Sequence, residues 1–289
     1  MRTNLKHKKM VDVMVVLFLT GLLLSTAVAS GTGVDPDQKH AWGENVGWVL
    51  AQSADHDLTI HYDEGSGGWL AGHLWGENIG WVVMGSAGGG PYANTAADNW
   101  GVNLAADGKL TGYAWGENVG WINFEQTHGQ PVIDTTTGEF LGYAWGANIG
   151  WVSFQGSEPD YGIRTLAFDM QDGTVPNFWL VNHGVEADHD AGDGVQAWRK
   201  YVMDVDPTIS GNALLVSSVT NVVDGFEFVV SPSSARRYYT LLRRESLIDD
   251  SWSSVVGQVS IPGNDGTLTL VDHDAPERAY YTVRVAVEP

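Results

Sequence analysis

The chain has 289 residues, a formal net charge of −20, thirteen tryptophans, thirty-six glycines and no cysteine. An acid excess of this size disfavours nucleic acid, anionic membranes and polyanionic glycans as partners, because each is repelled unless cations bridge the contact. With no disulfide available, stability has to come from buried aromatics, hydrogen-bonded strands or bound ions.

The N-terminus reads as a targeting segment. Lys6, Lys8 and Lys9 form a basic stretch, residues 13–24 are apolar, and Ala27-Val28-Ala29 supplies the small residues of a cleavage site. The pattern predicts a signal peptide over residues 1–29 and a mature start at Ser30. The apolar run is shorter than the roughly 20 residues of a membrane span. The expectation is therefore a secreted or cell-surface protein with no membrane span once the signal is removed.

Residues 30–170 carry one phrase four times. It reads Trp42-Gly43-Glu44-Asn45-Val46-Gly47-Trp48, then Trp75-Gly76-Glu77-Asn78-Ile79-Gly80-Trp81, Trp115-Gly116-Glu117-Asn118-Val119-Gly120-Trp121 and Trp145-Gly146-Ala147-Asn148-Ile149-Gly150-Trp151. Self-similarity of this kind marks a repeat architecture. Around the third phrase, residues 100–104 alternate as a strand, 106–108 turn, 110–115 run back, 116–120 turn again and 121–124 form a third strand. Residues 132–154 repeat the pattern, and residues 58–75 carry it with a longer turn. Residues 161–163 resemble the opening strand of one more unit, which closes or caps the array. Residues 85–98 are a Gly/Ala/Asn-rich loop. The reading is an all-β repeat module of three-stranded antiparallel units, with propeller, prism and stacked sheet all open. The phrase is similar to GYAWxENxGWIxF-type repeats of extracellular bacterial proteins, a likeness over about 110 residues that implies the repeat and no activity.

Residues 171–210 read as an acidic linker. Asp188, Asp190 and Asp193 cluster with Gly192 and Gly194, ahead of Asp204-Val205-Asp206-Pro207. The stretch resembles the calcium loops of dockerin and thrombospondin type 3 repeats, which implies calcium held by Asp188, Asp190 and Asp193. Such loops need oxygens at positions 1, 3 and 5 and a bidentate acid at position 12. Either register here puts Lys200 or Arg199 at position 12, so the motif is degenerate. Residues 211–289 alternate again, over 213–219, 226–230, 238–242, 254–260, 267–271 and 280–287. This spacing suits a fibronectin-type β-sandwich. Residues 236–252 and 277–285 resemble the C-terminal β-sandwich that follows acidic linkers in secreted bacterial proteins, which implies attachment or spacing. Arg236, Arg237, Arg243 and Arg244 gather much of the positive charge, as a contact surface or a solvated strand face.

Candidate site residues cluster on the phrase. A buried indole supplies large apolar area, so a structural core is the first expectation for the tryptophans. The alternative is that one indole per repeat stacks on a sugar ring, with Trp42, Trp75, Trp115 and Trp145 as candidates. Asn78 and Asn118 occupy a turn position where asparagine bonds its own backbone and tolerates left-handed conformation. Two residues before each first tryptophan stand His40, His73, Tyr113 and Tyr143, on the same strand face as that ring. With Glu44, these groups predict a glycan-binding rim. If the protein is an enzyme, Glu77 or Glu117 with His73 or Tyr113 would hydrolyse or eliminate across a glycosidic bond. Only Lys39, Lys109 and Arg164 stand against seventeen acids in residues 30–170. A lyase for uronic acids needs cationic neutralisation, so that subclass is weakened and a neutral polysaccharide is the expected partner. His56, His61 and Asp63 form a weaker metal candidate. A purely structural envelope component is the third reading.

Overall fold

A computed structural model describes residues 32–223, 225–248 and 251–288. The expected signal peptide, residues 1–29, lies outside the described residues. The chain is predominantly β and divides into two compact units at Gly184/Val185, inside the expected linker. Among the described residues no helix is long and apolar enough to cross a membrane.

Each phrase folds as the tip of a hairpin. The eight strands are β1 (Val34–Gly43), β2 (Gly47–Leu50), β3 (Gly67–Gly76), β4 (Gly80–Val83), β5 (Leu110–Gly116), β6 (Gly120–Asn123), β7 (Tyr143–Gly146) and β8 (Gly150–Ser153). The two tryptophans of each phrase face each other across the hairpin, Trp42 opposite Trp48 and Trp115 opposite Trp121. Successive hairpins then pair edge to edge, with Val49 opposite Gly76, Val82 opposite Gly116 and Ile122 opposite Gly146. Finally Gly43 pairs with Val152, so the last strand returns to the first. Eight antiparallel strands thus close into one ring. The repeats are neither separate propeller blades nor stacked sheets, because backbone hydrogen bonds run continuously from hairpin to hairpin. Closure removes the open edges that a β-array otherwise presents to other chains.

The glycines of the phrase make this ring possible. The valine or isoleucine before the second glycine folds back under the tip, beside the first glycine. A β-carbon at Gly116 would lie 2.6 Å from a Val119 methyl, and one at Gly43 would lie 2.5 Å from Val46. The second glycine takes the left-handed turn conformation, with φ between 74° and 79° in the four copies. Asparagine carries none of that strain, contrary to expectation. Inside the ring, small residues alternate with aliphatics: Ala41, Val46 and Val49 from the first repeat, and Leu74, Ile79 and Val82 from the second. Phe124 and Phe154 close one end, with ring centroids 5.7 Å apart. Each of these larger side chains contributes about 1.5–3 kcal/mol by leaving water.

The opening strands extend this core downward. Leu58–Asp63 pairs with the first half of β3, and Val102–Leu104 bridges β3 and β5. Asp160–Thr165 pairs with β1, so the first repeat receives its opening strand from the far end of the module. Residues 161–163 therefore close the circle. The inserted loop 85–98 is anchored by buried Tyr92, whose hydroxyl donates to the Leu70 carbonyl at 3.2 Å. Helix α1 (Asn177–His183) covers the core, with Phe178 and Phe168 packed edge-on against Tyr62.

The second unit begins with the acidic loop and α2 (Ala197–Met203). Two antiparallel sheets follow. One holds Leu215–Val222, Gly225–Ser233 and Gly266–Asp272, and the other holds Tyr238–Arg244 and Tyr280–Ala286 with two short strands. Residues 254–260, expected as a strand, form one only at Ser253–Ser254, because the chain then turns through a hydrogen bond from the Gln258 amide to the Val255 carbonyl. Phe228 and Tyr281 bring the sheets together at 4.5 Å. The arginines do not form a shared solvated face. Arg237 is fully buried and donates to the Tyr201 and Val202 carbonyls at the end of α2, while Arg243 holds buried Asp272 at 2.8 Å.

In the acidic loop two of the three expected calcium ligands, Asp190 and Asp193, accept hydrogen bonds from protein donors. One Asp190 carboxylate oxygen accepts the amides of Gly192, Asp193 and Gly194 at 2.8–3.0 Å. Asp193 accepts from the Lys200 ammonium at 2.8 Å and from the Gly211 amide at 2.6 Å. Lys200 is fully buried and also donates to the Ile209 carbonyl. As placed, Asp190 is engaged by backbone amides and Asp193 by a buried ammonium. The Lys200 hydrogen bond, then that of Gly211, holds the Asp193 carboxyl down at about 2. Because the folded state binds this proton more weakly than the unfolded chain, the contact stabilises above the ordinary carboxylate range. It is lost as pH falls toward 2. Acid titration of the unfolding midpoint is expected to show a fall through that window, flattened in Asp193→Asn.

Candidate functional site

The alternation Ala41-Trp42-Gly43 decides where the tryptophans go. The ring is too narrow for indoles, so small residues point in and the tryptophans point out. Six of the eight are 37–47 % exposed, and Trp75 and Trp115 are half-buried. The structural-core expectation is therefore corrected: the interior is aliphatic and the indoles form a belt. Within a hairpin the pair meets edge to face, at 4.8 Å for Trp42–Trp48 and 4.7 Å for both Trp75–Trp81 and Trp115–Trp121.

More rings flank each second tryptophan. His40, His73, Tyr113 and Tyr143 lie against Trp48, Trp81, Trp121 and Trp151, with centroids 5.8–6.3 Å apart. From the other side come residues that sequence reasoning did not assign to the site. Tyr161 meets Trp48 at 5.2 Å, His56 meets Trp81 at 4.9 Å and Trp100 meets Trp121 at 5.1 Å. The available signal was the match of Tyr161-Gly162-Ile163 to Trp100-Gly101-Val102, which places an aromatic two residues before each buried strand residue.

The clefts lie between repeats, not within them. One, of about 550 Å³, is bounded by Trp48 of the first hairpin and Trp75 of the second, with His40, Tyr161, Glu77 and Asp160. Another, of about 530 Å³, lies between the fourth and first hairpins and holds Trp151, Trp42, Tyr143, Tyr161, His128 and Glu44. The strand register at the other two junctions is alike, with Val83 opposite Trp115 and Asn123 opposite Trp145. Glu117 thus follows Trp115 in the third position, while Ala147 follows Trp145 in the fourth. The expected association of Glu77 with His73 on one hairpin is replaced by Glu77 with His40 across two. Burial, then the neighbouring Lys39 charge, lowers the His40 imidazole below its ordinary value. Its neutral form is thereby favoured.

The asparagines act elsewhere. Asn78 donates its side-chain amide to the Val46 carbonyl at 3.0 Å, Asn118 to Ile79 at 3.0 Å, Asn148 to Val119 at 2.9 Å and Asn45 to Ile149 at 3.2 Å. Each tip is clasped to the preceding one, and the fourth bond closes the circle. Asn78 and Asn118 are thus engaged in holding the ring. Asn118→Ala is expected to cost about 1 kcal/mol, since it strands a carbonyl acceptor. In a urea titration, Glu117→Ala in the same turn is expected to change stability by less than about 0.5 kcal/mol.

The weaker metal candidates are dispersed. His61 stacks on Trp69 at 4.9 Å, whereas His56 bonds Ser53 at 2.7 Å and faces Trp81. Among the described residues no group of three or more His, Cys, Asp or Glu is placed to hold a metal. No protein-family model, curated protein or solved structure matches the chain.

Proposed function

We propose that the protein is a secreted or cell-surface glycan-binding module that presents repeated aromatic clefts around a closed β-ring. The observation that carries this reading is the outward, partly exposed pairing of tryptophans from adjacent hairpins beside a carboxylate. Indole faces of this kind suit the C–H faces of pyranose rings, and carboxylates suit hydroxyl donors. Repetition of the cleft on one rigid support favours polymers, because a second engagement is intramolecular once the first is made. The partner is an extracellular polysaccharide, and the acidic surface disfavours polyanionic ones. The second unit serves attachment or spacing as a fibronectin-type sandwich. Retention on insoluble polysaccharides, with quenching or a shift of tryptophan fluorescence by soluble oligosaccharides, is the expected result. No retention and unmoved fluorescence across a broad panel would sink the proposal.

A hydrolytic reading has one specific support: Glu77 and Asp160 share a cleft with His40, and glycosidases use a carboxyl pair. It predicts release of reducing ends that Glu77→Gln abolishes.

A further inference from the structure

The charge lining the clefts narrows the ligand class, on the premise that they bind glycans. In the cleft between the first two repeats the acidic side chains are Glu77 and Asp160, and burial, then the Lys39 charge, lowers the His40 imidazole below its ordinary value. Glu44 lies in the cleft between the last repeat and the first, and no lysine or arginine lines either one. Among the described residues the carboxylates of Glu44 and Glu77 have no hydrogen-bond or ion-pair partner. Both are exposed. Glu77 shares its cleft with Trp48, Trp75 and Tyr161, and Glu44 shares its own with Trp42, Trp151, Tyr143 and Tyr161. Aromatic faces attract cations through the ring quadrupole, and a carboxylate at the same rim adds to that attraction. The formal charge of −20 raises the local concentration of cationic ligands further. A neutral glycan can use the indoles and offer hydroxyl donors to the carboxylate, but only a cationic one also gains from the charge.

We infer that the clefts carrying Glu44 and Glu77 bind glycans with free primary amines, the ammonium held between the carboxylate and the indoles. The sugar ring then stacks on the tryptophan wall, and the positive charge sets the preference among polysaccharides.

The test is titration of the full chain, followed by calorimetry and tryptophan fluorescence, with short oligomers of glucosamine and of N-acetylglucosamine. The titration is run at mildly acidic pH, so that the amines of the glucosamine oligomer are protonated. The free-amine oligomer is expected to bind at least tenfold more tightly, with a preference that shrinks as salt is added. The combined variant Glu44→Gln, Glu77→Gln should keep its melting temperature and lose that preference. Equal or tighter binding of the N-acetylated oligomer would overturn the inference and leave glycan binding standing. A preference that survives the double substitution would also overturn it, as attraction by the whole acidic surface. Failure of both oligomers and of every neutral glycan would remove the premise as well.

Discussion

Ile149→Ala is expected to destabilise the repeat unit by about 2–5 kcal/mol, the range for removing a large buried aliphatic. At roughly 2–4 °C per kcal/mol for a unit of this size, the melting temperature should fall by about 4–20 °C. Ile149 is 1 % exposed and folds back beneath its own turn, where it packs with Val152, Ala144, Phe154 and residues of the other repeats. Its carbonyl accepts the Asn45 amide from the opposite end of the repeat array. Collapse around the lost side chain is restricted, because every strand of the closed ring is hydrogen-bonded on both sides. The cost should therefore fall toward the upper part of the range. Near-ultraviolet circular dichroism during thermal unfolding would report it, since the indoles on the outer face lose their fixed pairing when the ring opens. A loss below about 1 kcal/mol would mean that the interior is not the packed core described above.

Replacing the first tryptophan of each phrase should separate binding from folding. Trp42, Trp75, Trp115 and Trp145 stand on the outer face, so their removal leaves the aliphatic interior and the asparagine clasps in place. One aromatic contact is worth about 0.5–1.5 kcal/mol beyond area burial, which predicts a loss of roughly two- to tenfold from Trp75→Ala alone. The effect on a polymer is larger when all four are changed. Linked sites can raise overall affinity by about 10²–10⁴, and the quadruple alanine variant forfeits that gain together with each individual contact. Retention on polysaccharide should be abolished while far-ultraviolet circular dichroism stays close to that of the parent chain. Full retention by the quadruple variant would place binding elsewhere on the molecule.

Much of the fold can be read from the residues. Trp-Gly to Gly-Trp marks hairpins because glycine supplies the positive φ of the tip, and period-two alternation marks their strands. Closure is hidden, since it rests on pairs such as Gly43 with Val152 and on the Asn45 amide reaching Ile149. Four identical asparagines look like four local turns. Only the three-dimensional arrangement shows each one reaching its neighbour. The tryptophans mislead for a related reason. A large apolar side chain reads as core, yet the inward positions beside it are alanine and glycine in three copies and Leu74 and glycine in the second, and that pattern tells of a ring too narrow for indoles. Lys200 is visible in sequence as a cation at a chelating position. Its burial against Asp193 shows how that loop can be held by a tethered ammonium.

The clefts were legible only in part. His40, Glu77 and Trp75 stand out as members of the repeated phrase, but the cleft joins His40 and Trp48 of one repeat to Trp75 and Glu77 of the next. Spacing along one copy cannot express that pairing. Tyr161 and Asp160 come from a strand donated by the far end of the module, and Tyr161 lines both of the clefts that hold a free glutamate.

Calorimetric titration of the intact chain with a short oligosaccharide tests the multivalent ring most directly. More than one equivalent site per chain is expected, with the number falling as Trp42, Trp75, Trp115 and Trp145 are replaced in turn. A single site whose affinity is unchanged in the quadruple alanine variant, or no heat of binding with neutral or amine-bearing oligomers, would contradict it.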